Sequence, residues 1–505
     1  MTGAELGVPG GRSLGVTCRR VADPKSLLFV SAVAGSALAV SHAATAAKWR
    51  VTPRLEAQVS YTDNVDLDTS TKQSDVVLRV NPGLAIKAKG KRMKFEADYE
   101  GSFLQFVQFG RTDWRNHLES KLYIEPIEDH FYILATGTMA EPFIDNTETV
   151  TFSDSNYSIN RRQTQSYTVQ PYFRHKIGNI ADVEWLYRFR YVTVAPPKAN
   201  DPTPKYIASY LSQTGQVTAD SGDRFGRLHW NLLGSYNRGE RGDGRRSKTI
   251  DLEAEGEYRV VRWLGILASA GWQKIDDPDL SKNIDSALWD VGVRFNPTRN
   301  TDVSVRYGRN DGDLSFSVDA LYRRKRWKIG VTYKHEVTSS QRRFADINGD
   351  GQFNDFDFFV NDFGAILNPD DIVFGFENDT FRSNRLEVQF AYDHRLTSFD
   401  ARAYYEIRKF DTTGREQHEF DIKTRLSHYF TRRWRGVLHL RYRRTDFDLG
   451  PSRVDNFYGT RAELHYTFSK YVDGQIAYVF SLLDSNVSPR NQTENVVQVQ
   501  MRANF

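Results

Sequence analysis

The sequence predicts an all-β fold: a transmembrane, antiparallel, up-and-down β-barrel of about 22 strands with short periplasmic turns and longer extracellular loops. Three observations lead there. The last ten residues, from Val496, alternate without a break. Val497, Val499, Met501, Ala503 and Phe505 take one face, and Gln498, Gln500, Arg502 and Asn504 take the other. A period of two is the strand period. The body repeats such segments at about 10–16 residues each, the length a tilted strand needs to cross a bilayer. The links between them alternate between tight and long. A half-buried strand of a soluble sandwich shows the same alternation, but a sandwich has no reason to sort its links by parity.

Composition is compatible with this architecture. Mean hydropathy is −0.57 and 26% of residues are charged. No apolar run in the body reaches the roughly 20 residues of a membrane helix. A barrel strand shows lipid only at every second residue, so its hydropathy averages out. The aromatic share of 13%, with 25 Tyr, 32 Phe and 9 Trp, suits interfacial girdles.

The N-terminus reads as a cleaved leader, residues 1–46. Arg19, Arg20 and Lys25 precede a short apolar core from Ser26 to Val40, and Ala44-Thr45-Ala46 is a small-x-small cleavage site. Cys18 precedes the apolar core, so it is no lipid-attachment site, and the mature chain carries no cysteine. This suits passage through an oxidising periplasm and excludes thiol chemistry and thiolate metal sites. The whole chain has a formal charge of +4, too balanced to argue for nucleic acid.

Residues 47–505 then read as one barrel. The expected strands are 49–62, 75–90, 92–107, 114–126, 129–139, 161–176, 179–192, 206–219, 225–238, 247–259 and 262–275 in the first half. The second half gives 284–296, 299–309, 312–323, 325–336, 383–395, 398–410, 418–430, 433–446, 457–469, 471–483 and 493–505. Ala462, Leu464, Tyr466 and Phe468 oppose Arg461, Glu463, His465 and Thr467; Phe420, Ile422, Leu426 and Phe430 oppose Asp421, Lys423, Arg425 and Ser427. Links near 91, 127–128, 177–178, 260–261, 297–298, 324, 396–397, 431–432 and 470 are tight. Those at 63–74, 140–160, 193–205, 239–246, 276–283, 337–382, 447–456 and 484–492 are longer.

The wet faces are densely charged. Arg435, His439, Arg441 and Arg443 share one parity of a strand and are expected to face the lumen, and Arg323, Arg324, Lys325 and Arg326 crowd a periplasmic turn. Two readings stand: a lumen that handles anions or anionic polymer, and a hydrated wall whose cations pair with carboxylates of neighbouring strands.

The sharpest local motif is Asp346-Ile-Asn348-Gly-Asp350-Gly351-Gln352-Phe-Asn354-Asp-Phe-Asp357. Asp346, Asn348, Asp350, Asn354 and Asp357 fall at loop positions 1, 3, 5, 9 and 12, with Gly351 at 6 and the Gln352 carbonyl at 7. Oxygen ligands at this spacing suit Ca²⁺. The Asn-Gly-Asp-Gly centre and closing Asp resemble the dockerin variant of the EF-hand loop. The residues from Asp357 through Leu367 suit an exiting helix, but no entering helix and no second copy is legible. The bland alternative is an acidic Asn/Gly-rich turn without an ion. The motif lies in the long loop 337–382, expected on the extracellular side.

No catalytic constellation is evident. The ten histidines of the mature chain are scattered and none lies in a HExxH or GxSxG motif, so an enzyme is not expected.

Two resemblances add context. The final strand resembles the closing strand of a bacterial outer-membrane barrel, with Phe505 in the place of the terminal Phe that the barrel assembly machinery reads. Trp49-Arg-Val-Thr-Pro53, Tyr61-Thr-Asp-Asn-Val65, Ser74-Asp75 and Asn81-Pro-Gly83 resemble the opening of the outer-membrane barrel family associated with PEP-CTERM/exosortase systems. That resemblance implies an outer-membrane location in a Gram-negative cell and proximity to exopolysaccharide and export-system proteins. The expected function is a hydrophilic passage. A non-conducting scaffold that anchors polysaccharide or protein, and a general porin, are the alternatives.

Overall fold

In the computed structural model the described residues are 47–145, 147–198, 204–349, 375–448, 452–488 and 490–505, without the side chains of 345–349. The expected leader lies outside them. Twenty-two strands follow in chain order. They are β1 Lys48–Thr62, β2 Asp75–Lys89, β3 Met93–Phe106, β4 Arg111–Ile127, β5 Phe131–Ala140, β6 Thr164–Ile177, β7 Ala181–Val194 and β8 Tyr210–Ser221. Next come β9 Leu228–Arg241, β10 Arg246–Val261, β11 Leu264–Asp276, β12 Ile284–Phe295, β13 Thr301–Asn310, β14 Asp313–Arg324 and β15 Trp327–Ser339. The helix α1, Ser340–Gly349, follows β15. The last strands are β16 Thr380–His394, β17 Thr397–Lys409, β18 Glu416–Tyr429, β19 Trp434–Phe447, β20 Arg453–Thr467, β21 Val472–Ser485 and β22 Gln492–Asn504.

Each strand pairs antiparallel with the next, and β22 returns to pair with β1 from Arg54↔Asn504 to Thr62↔Val496. The sheet therefore has no edge, which a lipid environment demands because unpaired backbone groups cannot be hydrated there. Phe505 lies just past β22, and its N–H donates to the Pro53 carbonyl at 2.9 Å.

The burial pattern is inside out. On β1 the polar residues are shielded, Gln58 at 4% and Ser60 at 1% exposure, while Val59 is 52% exposed. Leu252, Val291, Val293, Ile476, Val497, Val499 and Met501 are likewise exposed on neighbouring outward positions. So continuous an apolar belt is tolerated only against lipid. Trp263, Phe295, Phe430, Trp434, Tyr471 and Phe505 crowd the outside of the rim with the shorter turns, and Trp114, Trp289, Tyr307, Tyr405 and Tyr458 form the opposite girdle. Rings suit these levels because one end is apolar and the other wet.

Every expected strand is present, with ends displaced by a few residues. The parity of the links holds with exceptions on the loop rim. There β13 and β14 are joined by Asp311 and Gly312 alone, at φ 52° and 81°. Both angles are positive, the signature of the tight hairpin turn whose twist matches the strands. Residues 107–110 and 242–245 are short as well.

Deleting Phe505 removes the last aromatic of the girdle and the backbone bond to Pro53. The expected outcome is impaired assembly, read as loss of the heat-modifiable folded band in outer-membrane fractions.

Candidate functional site

The register defines the lumen wall. From Arg402↔Lys423 and Lys423↔Arg441 across β17–β19, and onward round the ring, one parity of each strand points inward. Arg435, His439, Arg441 and Arg443 share the parity of β19 that also holds the buried Val437, Thr445 and Phe447. Arg441 and Arg443 are buried. Arg441 pairs with Asp421 at 2.6 Å. Arg443 lies 5.7 Å from the Phe457 ring centre. His439 stands between Arg425 and Arg461 in register, and Arg435 sits over Tyr429. Farther along the wall Arg402 of β17 pairs with Glu387 of β16 at 2.7 Å, and Arg385 of β16 reaches Glu406 of β17 at 3.5 Å. Cross-strand pairing thus accounts for part of the inner charge, in line with the second reading of the sequence.

The link between β5 and β6, residues 141–163, enters the barrel. Its middle touches side chains that only the lumen offers. Ser155 receives hydrogen bonds from Ser60 at 2.9 Å and from Gln498 at 2.9 Å. The Phe152 N–H donates to Ser481 Oγ at 2.8 Å, and Thr151 donates to Glu494. Arg115 donates to the carbonyls of Asp154 and Asn156, both at 2.7 Å. Arg79 forms an ion pair with Asp154. Phe143 and Val150 pack with Leu67, Phe457 and Leu483. Phe152 lies over Gly459, where a Cβ would come within 3.0 Å of the Phe152 ring. The loop thus lines the lumen from β20 through β22 to β4.

Asp154 is the electrostatic centre of this docking. Burial alone would raise its carboxyl; the guanidiniums of Arg79, Arg461 and Arg115 outweigh burial and hold it well below the usual carboxylate range. Asp154 sits deep in the barrel yet keeps 34% of its side chain open.

A second obstruction crosses the loop rim. The helix α1 leaves β15 and makes contacts with β5, β6 and β7 on the far side. Phe344 of α1 packs against Phe376, with ring centres 5.6 Å apart and planes tilted by 51°. Both rings pack with Ile144, Val192, Val194, Ile207 and Tyr210. The Phe376 N–H donates to the Ile144 carbonyl at 2.7 Å. Lys205 reaches Asp145 at 3.3 Å and Glu377 at 3.2 Å. Arg343 pairs with Glu336 at 3.0 Å and with Glu406.

The helix α1 corrects one expectation: a helix does lead into the calcium-type motif. The expectation missed it because Ser340–Gly349 has weak amphipathic patterning and gains its packing from distant strands. Asp346 and Asn348 lie within α1. Asp350, Gln352, Asn354 and Asp357 lie outside the described residues, as does the expected exiting helix. Among the described residues no group of three or more His, Cys, Asp or Glu could hold a metal. The inward loop was legible in the sequence only as a long link. Its signal is Phe143, Ile144, Val150 and Phe152 set among Ser, Thr and Asn, apolar residues with no reason to face water.

A family model described as "Putative beta-barrel porin 2" matches residues 393–505, which take in β17–β22. No curated protein matches the chain. Among solved structures, the ferric-catecholate import receptor Fiu of E. coli K12 in its open form is 11% identical, with 90% of this chain and 82% of that one covered and a TM-score of 0.47. The FrpB iron transporter of Neisseria meningitidis, F5-1 variant in its apoprotein form, is 8% identical, with 90% and 81% covered and a TM-score of 0.49. OccK2 (OpdF) of Pseudomonas aeruginosa, in complex with glucuronate, is 9% identical, with 91% and 98% covered and a TM-score of 0.35. The lipid-facing belt and the family match place this chain in the bacterial outer membrane as a porin-like barrel.

Asp154→Asn removes the carboxylate that Arg79 faces inside the barrel. Since Asp154 is about a third exposed, the expected loss of docking energy is discounted to about 1–2 kcal/mol. Limited proteolysis should cut within 141–163 faster while the barrel stays heat-modifiable. The depressed folded-state pKa means that Asp154 contributes stability above its unfolded value of about 3.9, and that this is lost as pH falls below it. Cleavage in the loop should rise below about pH 4 in the natural protein, and the Asn variant should lack that rise.

Proposed function

We propose that the barrel is a hydrophilic passage across the outer membrane, held shut at its loop rim. The observation that carries this reading is the continuous polar and charged inner wall, crossed at one end by loops held through separable contacts. An enclosed lumen of 22 strands is wide enough for solute. Lys205 with Asp145 and Glu377, and Arg343 with Glu336, are ion pairs that water can replace when the loops part. No reaction is assigned to the chain.

The cargo class we propose is exopolysaccharide, with PEP-CTERM/exosortase systems as the cellular context. This rests on the resemblance of the segments within 49–83. A general porin fits the same lumen. A non-conducting scaffold is the second reading, favoured by the interlocked loops across the mouth. Planar bilayers separate them. The natural protein should conduct rarely or in short events, and a variant lacking residues 145–158 should conduct steadily and more strongly. Absence of current in both would support the scaffold. A deletion strain with unchanged surface polysaccharide would remove the polysaccharide cargo and leave the general porin.

We also propose that Asp346, Asn348, Asp350, Gln352, Asn354 and Asp357 bind one Ca²⁺ and order the 337–382 loop. The support is ligand spacing, with Gly351 at the sharp turn. Without metal the carboxylates of Asp346, Asp350 and Asp357 repel one another. Extracellular sites of this type bind at about 10⁻⁴–10⁻³ M, so millimolar Ca²⁺ should protect the loop from protease. Asp350→Ala should abolish the protection and leave the barrel folded. Calorimetry without a binding heat at millimolar Ca²⁺ would sink the idea.

A further inference from the structure

The inward parity of β10 is acidic along the middle of the strand: Asp251, Glu253, Glu255 and Glu257 follow one another at every second position. Asp290 of β12 joins them two strands away, in register with Ser269, which itself faces Glu255. Two cations share the inward parity of β10–β12, Arg259 and Arg294, both near the short-turn end; Arg259 pairs with Glu257 at 3.0 Å. Arg294 also pairs with Glu257, at 3.3 Å, while Arg306 of β13 reaches Glu255 and Asp290. Asp251 accepts hydrogen bonds from Ser235 at 3.1 Å and Gln273 at 3.0 Å, neutral donors that leave its charge in place. Carboxylates dominate this wall.

The inward parity of β18 and β19 has the opposite balance. These two strands carry Lys423, Arg425, Arg435, Arg441 and Arg443 against Glu419 and Asp421, which lie toward the loop rim, and Asp400 of β17 stands opposite Arg425. The Arg443 Nη1 is buried without a hydrogen-bond partner among the described residues. In a ring of 22 strands the two walls are six to nine strands apart, from β12–β18 to β10–β19, where a diameter is eleven. Glu253 and Glu255 lie mid-strand, as do Lys423, Arg425 and Arg441, so the two sets share a level of the lumen. The docked loop 141–163 occupies the sector from β20 to β4. A solute is therefore confined to the side that holds both charged walls.

We propose that the lumen is polarised across its width, anionic on β10–β12 and cationic on β18–β19, and selects solutes that carry both a positive and a negative group. Low-dielectric walls of opposite sign focus a field across the gap. A dipolar solute aligned in that field gains at both ends, with its cation toward β10 and its anion toward β19. A simple anion or cation gains at one wall and is repelled by the other. The inference rests on the reading of the barrel as a passage.

The test uses the full-length barrel in bilayers and liposomes, with the loop in place. In a KCl gradient the natural protein should discriminate weakly between the two ions. Glu253→Gln with Glu255→Gln should raise anion preference, and Lys423→Gln with Arg425→Gln should raise cation preference, each by about two- to fivefold. Liposome swelling with 4-aminobutyrate and its uncharged isomer 2-hydroxybutanamide needs no variant. The zwitterion should enter about two- to fivefold faster in the natural protein, and the ratio should fall toward one in whichever variants fold. Conductance with equal entry of the two isomers, or variant pairs that shift selectivity in the same direction, would overturn the polarised lumen and leave the passage standing. Absence of both current and swelling in the natural protein and in the variant lacking residues 145–158 would overturn the passage reading, and this inference with it.

Discussion

Everything in this molecule depends on the pairing of β22 with β1. In hydrocarbon an unpaired N–H or C=O costs several kcal/mol, and an open sheet of this size would leave two whole edges exposed. Closure from Arg54↔Asn504 to Thr62↔Val496 removes both. It also imposes one consistent parity round the ring, because a slip of one residue anywhere would turn a charged face to lipid. The assignment of Glu56 to the lumen and Val59 to lipid is thus not local to β1; it is enforced through every neighbour in turn.

Once parity is set, the interior must accommodate many charges in a confined space. The wall answers with cross-strand pairs such as Arg441 with Asp421 and Arg402 with Glu387. Removing either partner of the buried Arg441–Asp421 pair would strand a charge, which is far more costly than the pair is stabilising. The near-neutral total charge of the chain conceals an uneven placement: acids collect on β10–β12 and cations on β18–β19. Net charge reports solubility, whereas the lumen responds to the arrangement.

The loops on one rim follow a different logic. Residues 141–163 dock by polar contacts and a few apolar anchors on the inner wall, and the Phe344–Phe376 cluster joins segments that start on opposite sides of the mouth. These contacts are small next to the strand ladders, so the proposed parting of the loops would leave the barrel undisturbed. Stability and obstruction reside in separate parts of the structure.

The period-two alternation of segments such as Arg461–Phe468 and Val496–Phe505 determined the strands, their faces and their number, because burial in a barrel is decided one residue at a time by parity. The same signal put Arg435, His439, Arg441 and Arg443 on one face of β19. It was silent on partners: that Arg79 meets Asp154, or that Phe376 meets Ile144, depends on which residues a closed ring brings within reach, and these are far apart in the chain. The two-residue turn at Asp311–Gly312 escaped the length argument because its conformation, rather than its length, carries the signal. The inward course of 141–163 and the helix α1 were decided by tertiary structure alone. Neither has a repeating pattern of its own, and each is stabilised by surfaces that exist only after the barrel has closed.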